Sequence, residues 1–419
     1  MSDFVTLGDH ISIQKGKAPL TTSYSGPGAK PYLNPEYLRG RANAELAKPR
    51  SDAVHVRDGD TILLWDGSNA GEFFKAKSGL AASTMAKITP DERFKSAYFF
   101  HATKYAEPYL KGQTNGTGIP HVDRELLEAI RVFCPAPAEQ LRLAEILDTL
   151  DTTIHETVAI IAKLKAVKQG LLHDLLTRGI DANGELRPPQ TEAPHLYKPS
   201  PLGWIPKEWE AAQLHMLAEL ITSGSRGWAA YYAETGALFL RSQNIRMGYL
   251  EFTDRQLVKP PVGGEGERTK LEQSDLLITI TGNGVGNVAH VPVSWKETAY
   301  VSQHVGLVRF CEPHLALLAA HYFVEGAPGN QQIVFVQYGQ SKPGLSLGNL
   351  RSFWMPIPSE DETSAINHRI ASIYERLNCE EGLAHQLRDL KFGLMDDLLT
   401  GKVRVTPLLV EAAQQAGSA

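Results

Sequence analysis

Two ten-residue stretches of this chain are near-copies: Lys168-Gln-Gly-Leu-Leu-His-Asp-Leu-Leu-Thr177 and Lys391-Phe-Gly-Leu-Met-Asp-Asp-Leu-Leu-Thr400. The offset of 223 residues that superposes them also carries one apolar series onto another. Leu143, Leu147, Leu150, Ile154, Ile161, Leu164, Leu171 and Leu175 fall on Ile366, Ile370, Ile373, Leu377, Ala384, Leu387, Leu394 and Leu398. Steps of four and three residues place such a series on one narrow helical stripe, the spacing of a coiled-coil seam. The polar interruptions repeat as well, Thr157 with Glu380 and Lys168 with Lys391. A helix from about Glu139 to Leu176 is roughly 57 Å long at 1.5 Å per residue, more than a compact domain can bury, so it needs a partner of its own length. The chain holds one. Antiparallel pairing requires opposed positions to sum to a constant, and with 541 every seam position finds a partner: Leu143 with Leu398, Leu147 with Leu394, Ile154 with Leu387, Leu164 with Leu377. That register sets Lys391 beside Leu150, within reach of Asp148 or Asp151, and predicts an ion pair there, the alternative being a lysine whose stem snorkels to solvent.

A repeat of this kind directs attention to the segments around it. Residues 1 to about 135 alternate short β-like runs with turn-rich loops, among them the strand candidate Asp60-Thr-Ile-Leu-Leu-Trp65 before the turn Asp66 to Gly71. Residues 210 to 355 follow the same plan. Gln273 to Thr281 and the turn Gly282 to Asn287 answer the earlier strand and turn, with Asp275 under Asp60 and Gly282 under Gly67. Ser302-Gln303-His304 answers Ser83-Thr84-Met85, and the prolines of Trp354 to Pro358 answer Pro135-Ala-Pro137. A proline-rich linker, Pro188 to Pro201, leads into Leu202-Gly-Trp-Ile-Pro-Lys-Glu-Trp209, whose two tryptophans are expected to pin it to a surface. The boundaries that follow are a first domain at 1–137, a central helix at 138–178, a linker at 179–209, a second domain at 210–358, a second long helix at 359–404 and a tail at 405–419.

Bulk properties narrow the function. A formal net charge of −5 gives no global attraction to DNA or anionic membranes, and residues 1–138 are near neutral with 17 Lys and Arg against 15 Asp and Glu. Cys134, Cys311 and Cys379 have no metal-site or disulfide spacing, which fits a reducing cytoplasm, and no apolar run approaches a membrane span. Gly282, Gly284 and Gly286 imitate a dinucleotide-binding turn, but Asn287 stands where its third glycine belongs and no helix opening follows. Asn34-Pro-Glu-Tyr37 lacks the second proline of the methyltransferase loop it imitates. Gly16-Lys17 and Gly401-Lys402 are not phosphate loops, and neither an HExxH nor a Gly-x-Ser-x-Gly elbow is present. Catalysis by this chain alone is unsupported, with no metal or cofactor site of its own expected.

The layout resembles the specificity subunit of Type I restriction-modification enzymes. The resemblance rests on Pro135 to Gln140 leading into Ile146 to Asp151, the repeated Lys-x-Gly-Leu-x-x-x-Leu-Leu-Thr endings, Gly203 to Trp209, and the duplicated strand and glycine turn. It covers Phe4 to Val405; the second copy departs from it with Glu360-Asp361-Glu362 after its prolines and Tyr374 in place of Asp151. It implies an α+β chain in which two similar β-rich target-recognition domains are separated by two long antiparallel helices forming a coiled-coil spacer. It implies a non-catalytic reader of double-stranded DNA, each domain taking one half of a bipartite site. The partners implied are two methyltransferase subunits and a motor-nuclease subunit, which would carry S-adenosylmethionine, ATP and Mg. Two other classes stay open, a fused or stand-alone methyltransferase and a two-domain scaffold that binds no DNA.

Base reading needs loop donors and acceptors, with Arg suited to guanine, Asn and Gln to adenine, and Lys to phosphate. The expected set is Lys15, Lys17, Lys30, Arg39, Asn69, Lys75 and Asn115 in the first domain. In the second it is Arg226, Arg241, Gln243, Asn244, Asn283, Gln303, His304, Gln340 and Lys342, with Tyr24 and Trp228 as stacking or wedging candidates. Any one of these is equally an ordinary solvated loop residue or, for the aromatics, a packed one.

Overall fold

The computed structural model describes residues 3–113, 120–260, 263–338 and 344–407. It divides into two compact units, one formed by Met1–Ala159 with Glu381–Ala419 and the other by Ile160–Glu380. Each unit owns part of both long helices, the central helix Pro137–Thr177 and the terminal helix Glu360–Leu398. The central helix begins on a proline, which suits a first helical position because its missing N–H would have no partner there.

In the first unit an antiparallel sheet runs in the order Ile11–Lys15, Met85–Pro90, Thr61–Leu64, Phe73–Lys75. Thr61–Leu64 is buried on both faces, and its period of two divides its side chains between two cores. Leu63 enters a core with Tyr98 and Phe99 of the helix Ser96–Gly112, while Ile62 and Leu64 enter one with Leu33 and Ala81. Those last two belong to a second sheet in which Lys30–Leu33 pairs in parallel with Gly79–Ala81. Full burial of each such leucine is worth about 1.5–3 kcal/mol over leaving it exposed. Phe4–Thr6 pairs with Arg131–Phe133 and brings the chain to the central helix.

The second unit repeats this order of elements. Its sheet runs Ala218–Ser223, Val305–Phe310, Leu276–Thr279, Val288–His290. Leu276 and Ile278 face the core of the helix His314–Phe323, and Leu277 faces Leu238 and Val301. The parallel pair recurs as Ala237–Leu240 with Ala299–Val301, and the closing pair as Glu210–Gln213 with Trp354–Ile357. Asp60 accepts from the Arg57 amide at 2.8 Å and Lys87 at 2.6 Å; Asp275 accepts from the Glu272 amide at 2.7 Å and Arg309 Nε at 2.9 Å. Burial pushes the Asp275 carboxyl up against the pull of Arg309. Of the two linker tryptophans only Trp209 is an anchor, fully buried and donating Nε1 to Glu362 at 2.9 Å, whereas Trp204 is 53% exposed. Trp204 instead lies on the hairpin Tyr197–Ser200 with Gly203–Pro206.

Within each unit the two long helices pair antiparallel. Leu143 and Leu147 share the first unit's core with Met395 and Leu398, and Lys391 Nζ donates to Asp151 Oδ1 at 2.5 Å, one of the two partners expected. In the second unit Leu172 and Leu175 pack with Ile366 and Ile370. Lys168 lies 4.3 Å from the ring centroid of Tyr374, so where carboxylate is replaced by phenol the cation moves to a π face. Thr157 is buried on the seam at little cost because its hydroxyl donates to Thr153 O at 2.8 Å.

Both helix pairs are tied by a feature the residue pattern did not expose. Glu139 is 1% exposed and accepts from Arg404 Nε at 2.9 Å, Arg404 Nη2 at 2.7 Å and the Val405 amide at 3.2 Å. At the equivalent position Glu362 accepts from both Arg187 amino groups, the Ile180 amide at 2.8 Å and Trp209 Nε1. In each case the chain leaving one long helix folds back and fastens to the first turn of the other.

Candidate nucleic-acid interface

Two glycines fix the geometry of the loops that carry the expected DNA-reading residues. A Cβ on Gly16, after the strand Ile11–Lys15, would sit 2.1 Å from the Ala82 carbonyl, and one on Gly224, after Ala218–Ser223, would sit 2.0 Å from that of Val301. Only glycine permits this crossing, and it sets the same loop edge in both domains.

In the first unit, a cleft of about 1030 Å³ is lined by Arg39, Asn69, Lys75, Lys104, Glu72 and Asp148 among others, so three of the expected residues meet there. Its cations are already engaged. Arg39 is fastened to Glu72 through Nε and Nη2, donates Nη1 to Glu36 at 2.9 Å and lies 5.8 Å from the Phe74 ring. Expected as a base reader, Arg39 is a structural clamp, since two carboxylates hold a side chain that is only 15% exposed. Lys75 pairs with Asp148 at 2.9 Å, and the fully buried His101 places Nε2 3.0 Å from the same carboxylate. Burial opposes ionisation of Asp148, but Lys75 and His101 outweigh it and hold the carboxyl below its usual range. Lys15 reaches Asp66 at 2.8 Å and Lys17 reaches Asp52 at 2.9 Å, where Lys17 and Arg50 pull the carboxyl down to about 2. Lys30 and Asn69 are exposed. Tyr24 lies under Lys48 at 5.6 Å. Asn115, Gln340 and Lys342 fall outside the described residues.

In the second unit Trp228, Arg241, Gln243, Gln303 and His304 surround one cavity of about 280 Å³. Trp228 is 3% exposed, stacked on Phe239 at 5.5 Å and tilted against Tyr300 at 5.3 Å. It is therefore a wall of the fold and not a free wedge. Asn244 is likewise no reader: 1% exposed, it donates to Glu251 O at 3.0 Å and Asp254 O at 2.9 Å and accepts from the Arg241 amide. Its neighbour Gln243 points outward and donates to Asp254 at 2.8 Å. Asp254 also pairs with Arg241 at 2.8 Å, and Gln243 and Arg241 together lower its carboxyl pKa. His304 Nδ1 lies 2.6 Å from Thr281 Oγ1 and its Nε2 lies 3.1 Å from the Gln303 amide nitrogen. Those two partners fix the orientation of the ring. Arg226 and Asn283 are exposed. Sequence reasoning missed Arg268, whose guanidinium braces the 223–225 loop through Ser223 O and Ser225 Oγ, both at 2.8 Å, and Asp254, which orients Arg241. Neither carried a motif.

Residues 2–166 match the family described as Type I restriction modification DNA specificity domain. Among curated proteins, the Type I restriction enzyme MjaVIII specificity subunit of Methanocaldococcus jannaschii is 28% identical over 410 residues, covering 97% of this chain and 94% of the relative. The EcoBI specificity subunit of Escherichia coli is 19% identical over 348 residues, 81% of this chain and 72% of the relative. Among solved structures, the S subunit of a Type I restriction-modification system from M. genitalium matches with a TM-score of 0.61 at 14% identity, over 94% of this chain and 95% of that one. A chain from a structure of Type I complex assembly and conformational transition matches at 0.52 with 15% identity, over 94% and 96%. In sequence over nearly its whole length the chain is similar to specificity subunits of Type I restriction-modification systems, and its fold is similar to that of a solved S subunit.

Proposed function

We propose that the chain is the non-catalytic DNA-specificity component of a Type I restriction-modification complex, each domain reading one half of a bipartite duplex target. The observation that carries this reading is the internal repeat. The same sheet order, glycine-set loop edge and helix-anchoring glutamate occur twice in one chain. A molecule with two copies of one reading edge is suited to a target with two halves. On this reading the paired helices act as a spacer, and half-sites are recognised together only at a separation compatible with the roughly 34 Å turn of the duplex. The proposed contacts are Lys15, Lys17, Lys30, Asn69 and Lys75 in the first domain and Arg226, Arg241, Gln243, Asn283, Gln303 and His304 in the second. The proposed domain limits are those read from the repeat, 1–137 and 210–358.

The partners on this reading are two methyltransferase subunits and a motor-nuclease subunit, working in the cytoplasm and carrying S-adenosylmethionine, ATP and Mg. An apolar groove of about 650 Å³ in the first unit supports a protein partner, since Phe392 is 69% exposed and Tyr109 55% exposed on its walls. No helix among the described residues is long and apolar enough to cross a membrane.

The decisive experiment is insertion of one helical turn into both long helices, followed by mapping of methylated adenines in cells that also express the partner subunits. The two half-sites should keep their bases and change their separation. An unchanged separation refutes the spacer, and methylation that is independent of this chain refutes the specificity role.

A further inference from the structure

Behind the wall of the cavity in the second unit lie buried donors with nothing to donate to. Among the described residues, Arg241 Nε and Trp228 Nε1 are both shielded from solvent and without a hydrogen-bond acceptor, and both side chains line this space. An unsatisfied buried donor costs about 1–3 kcal/mol, and a group kept in that state calls for an explanation. The surroundings supply one. Trp228 and Phe239 are stacked, Tyr232 lies 5.8 Å from Phe239, and Ser225, Ser242, Gln303 and His304 complete a polar rim. The rim is pre-set: Asp254 holds Arg241, Arg268 holds Ser225, and Thr281 with Gln303 fixes His304. Because the Gln303 amide nitrogen is committed to His304, its carbonyl oxygen remains available as an acceptor.

Aromatic walls, the hydroxyls of Ser225 and Ser242 and a free acceptor suit a planar group bearing both acceptors and a donor. Size limits it further. At about 280 Å³ the cavity has space for roughly nine water-sized groups of about 30 Å³, enough for one nucleobase and too little for a base pair.

We propose that this cavity is a nucleobase pocket, taking one base of the second half-site out of the helical stack and holding it against Trp228 and Arg241. The proposal rests on the reading of this face as DNA-facing and adds to it that recognition here is of an extruded base rather than of a base edge in the groove. Extrusion costs unpairing energy, and this cost disappears when the opposite base is missing.

The test uses the complex reconstituted with its partner subunits and target duplexes in which the base opposite each position of the second half-site is removed in turn. At one position other than the methylated adenine, binding should tighten about tenfold. Ser242→Trp, which fills the cavity, should abolish that gain while leaving the gain at the methylated adenine; Arg241→Lys, which keeps the charge and loses the planar guanidinium of the lining, should reduce it. A second measurement is saturation-transfer NMR of the free chain with each of the four mononucleotides and with ribose 5-phosphate. Base protons should receive the signal, and ribose 5-phosphate should give none. Equal binding of ribose 5-phosphate makes the site a phosphate site and overturns the proposal. So does selective duplex binding with no such position, a result that leaves the DNA-reading role intact. A complex that selects no duplex at all would instead defeat the proposed function.

Discussion

Replacing Glu362 by alanine should destabilise the second unit far more than replacing Glu139 destabilises the first, although the two occupy the same place in the repeat. The reason lies in what each leaves behind. Arg187 is 8% exposed, and without Glu362 its charge would keep, among the described residues, Glu208 at 3.8 Å and the Arg178 carbonyl at 3.1 Å. Breaking a buried pair from one side costs about 3–5 kcal/mol. The Ile180 amide and Trp209 Nε1 lose their acceptor as well, each worth about 1 kcal/mol once partial rehydration is allowed. These terms are not additive, and about 5 kcal/mol is the expectation. Arg404, in contrast, is 40% exposed and retains Asp3 at 2.9 Å, so it can turn to water when Glu139 is removed. The loss there should be about 2 kcal/mol, mostly the Val405 amide and the charged hydrogen bonds.

The assay is guanidinium unfolding followed by tryptophan emission. Trp65 is the sole tryptophan of the first unit, so a Trp65→Phe background reports the second unit alone, and calorimetry follows the first. A loss below about 1 kcal/mol for Glu362→Ala, or equal losses for the two variants, would refute the argument, because either result means that Arg187 is not desolvated. The paired change Arg187→Leu with Glu362→Leu should recover most of the loss, since replacing both ions removes the desolvation cost together with the attraction.

Other outcomes follow from the same geometry. Burial pushes His290 and His321 down to about 4, so both fold neutral; the unfolded chain takes up protons from pH 6.5 downward, and stability of the second unit should fall between pH 6.5 and 4 by roughly 3 kcal/mol per histidine. His321→Phe should flatten that slope in urea titrations at stepped pH; an unchanged slope would exclude His321 as its source. Lys391→Leu should change stability by less than about 1 kcal/mol, because Asp151 is 39% exposed and can rehydrate, and a larger loss in a denaturant series would mean the pair is more desolvated than this. Trp228→Ala should cost about 3–5 kcal/mol as a core truncation, visible as lowered thermal stability without DNA present; normal stability would return Trp228 to the role of a surface wedge. Phe392→Asp should leave the fold intact and abolish co-purification with the methyltransferase subunit, and retained co-purification would remove the proposed docking role of that groove.

What could be read from the residues divides along a physical line. The helix seam was legible because its pattern is one-dimensional: a period of three and four residues fixes which side is buried, and a constant sum then fixes the partner, down to Lys391 meeting Asp151. The two-core strands were legible for the same reason, as uninterrupted apolar runs. The glutamate locks were only half legible. Glu139 and Glu362 share the offset of 223, but their arginines do not, because Arg187 sits ten residues beyond its helix end and Arg404 only four beyond Thr400. Loop chemistry was least legible, and Gln243 beside Asn244 shows why. Both are amides on one short turn; one faces Asp254 at the surface and the other is buried as an internal cap, a difference set by which way the turn closes and not by residue type.

The repeat also separates what the helix pair needs from what it tolerates. Where the first unit sets Lys391 against Asp151, the second sets Lys168 against Tyr374, on whose ring His321 also stacks at 5.9 Å. A lysine is kept at both seam defects while its counterpart changes from an anion to an aromatic face. The retained requirement is therefore a long stem that covers apolar surface and a head that finds a weak partner at the rim, since a carboxylate and a phenol ring have little else in common. Exchanging the partners tests this directly: Tyr374→Asp should keep Lys168 in place and move stability by less than about 1 kcal/mol, whereas Lys168→Glu, which sets a like charge against any such carboxylate, should cost more in that background than in the parent chain. Equal costs in both backgrounds would mean that the Lys168 head group does not engage position 374 and that its stem is what this defect retains.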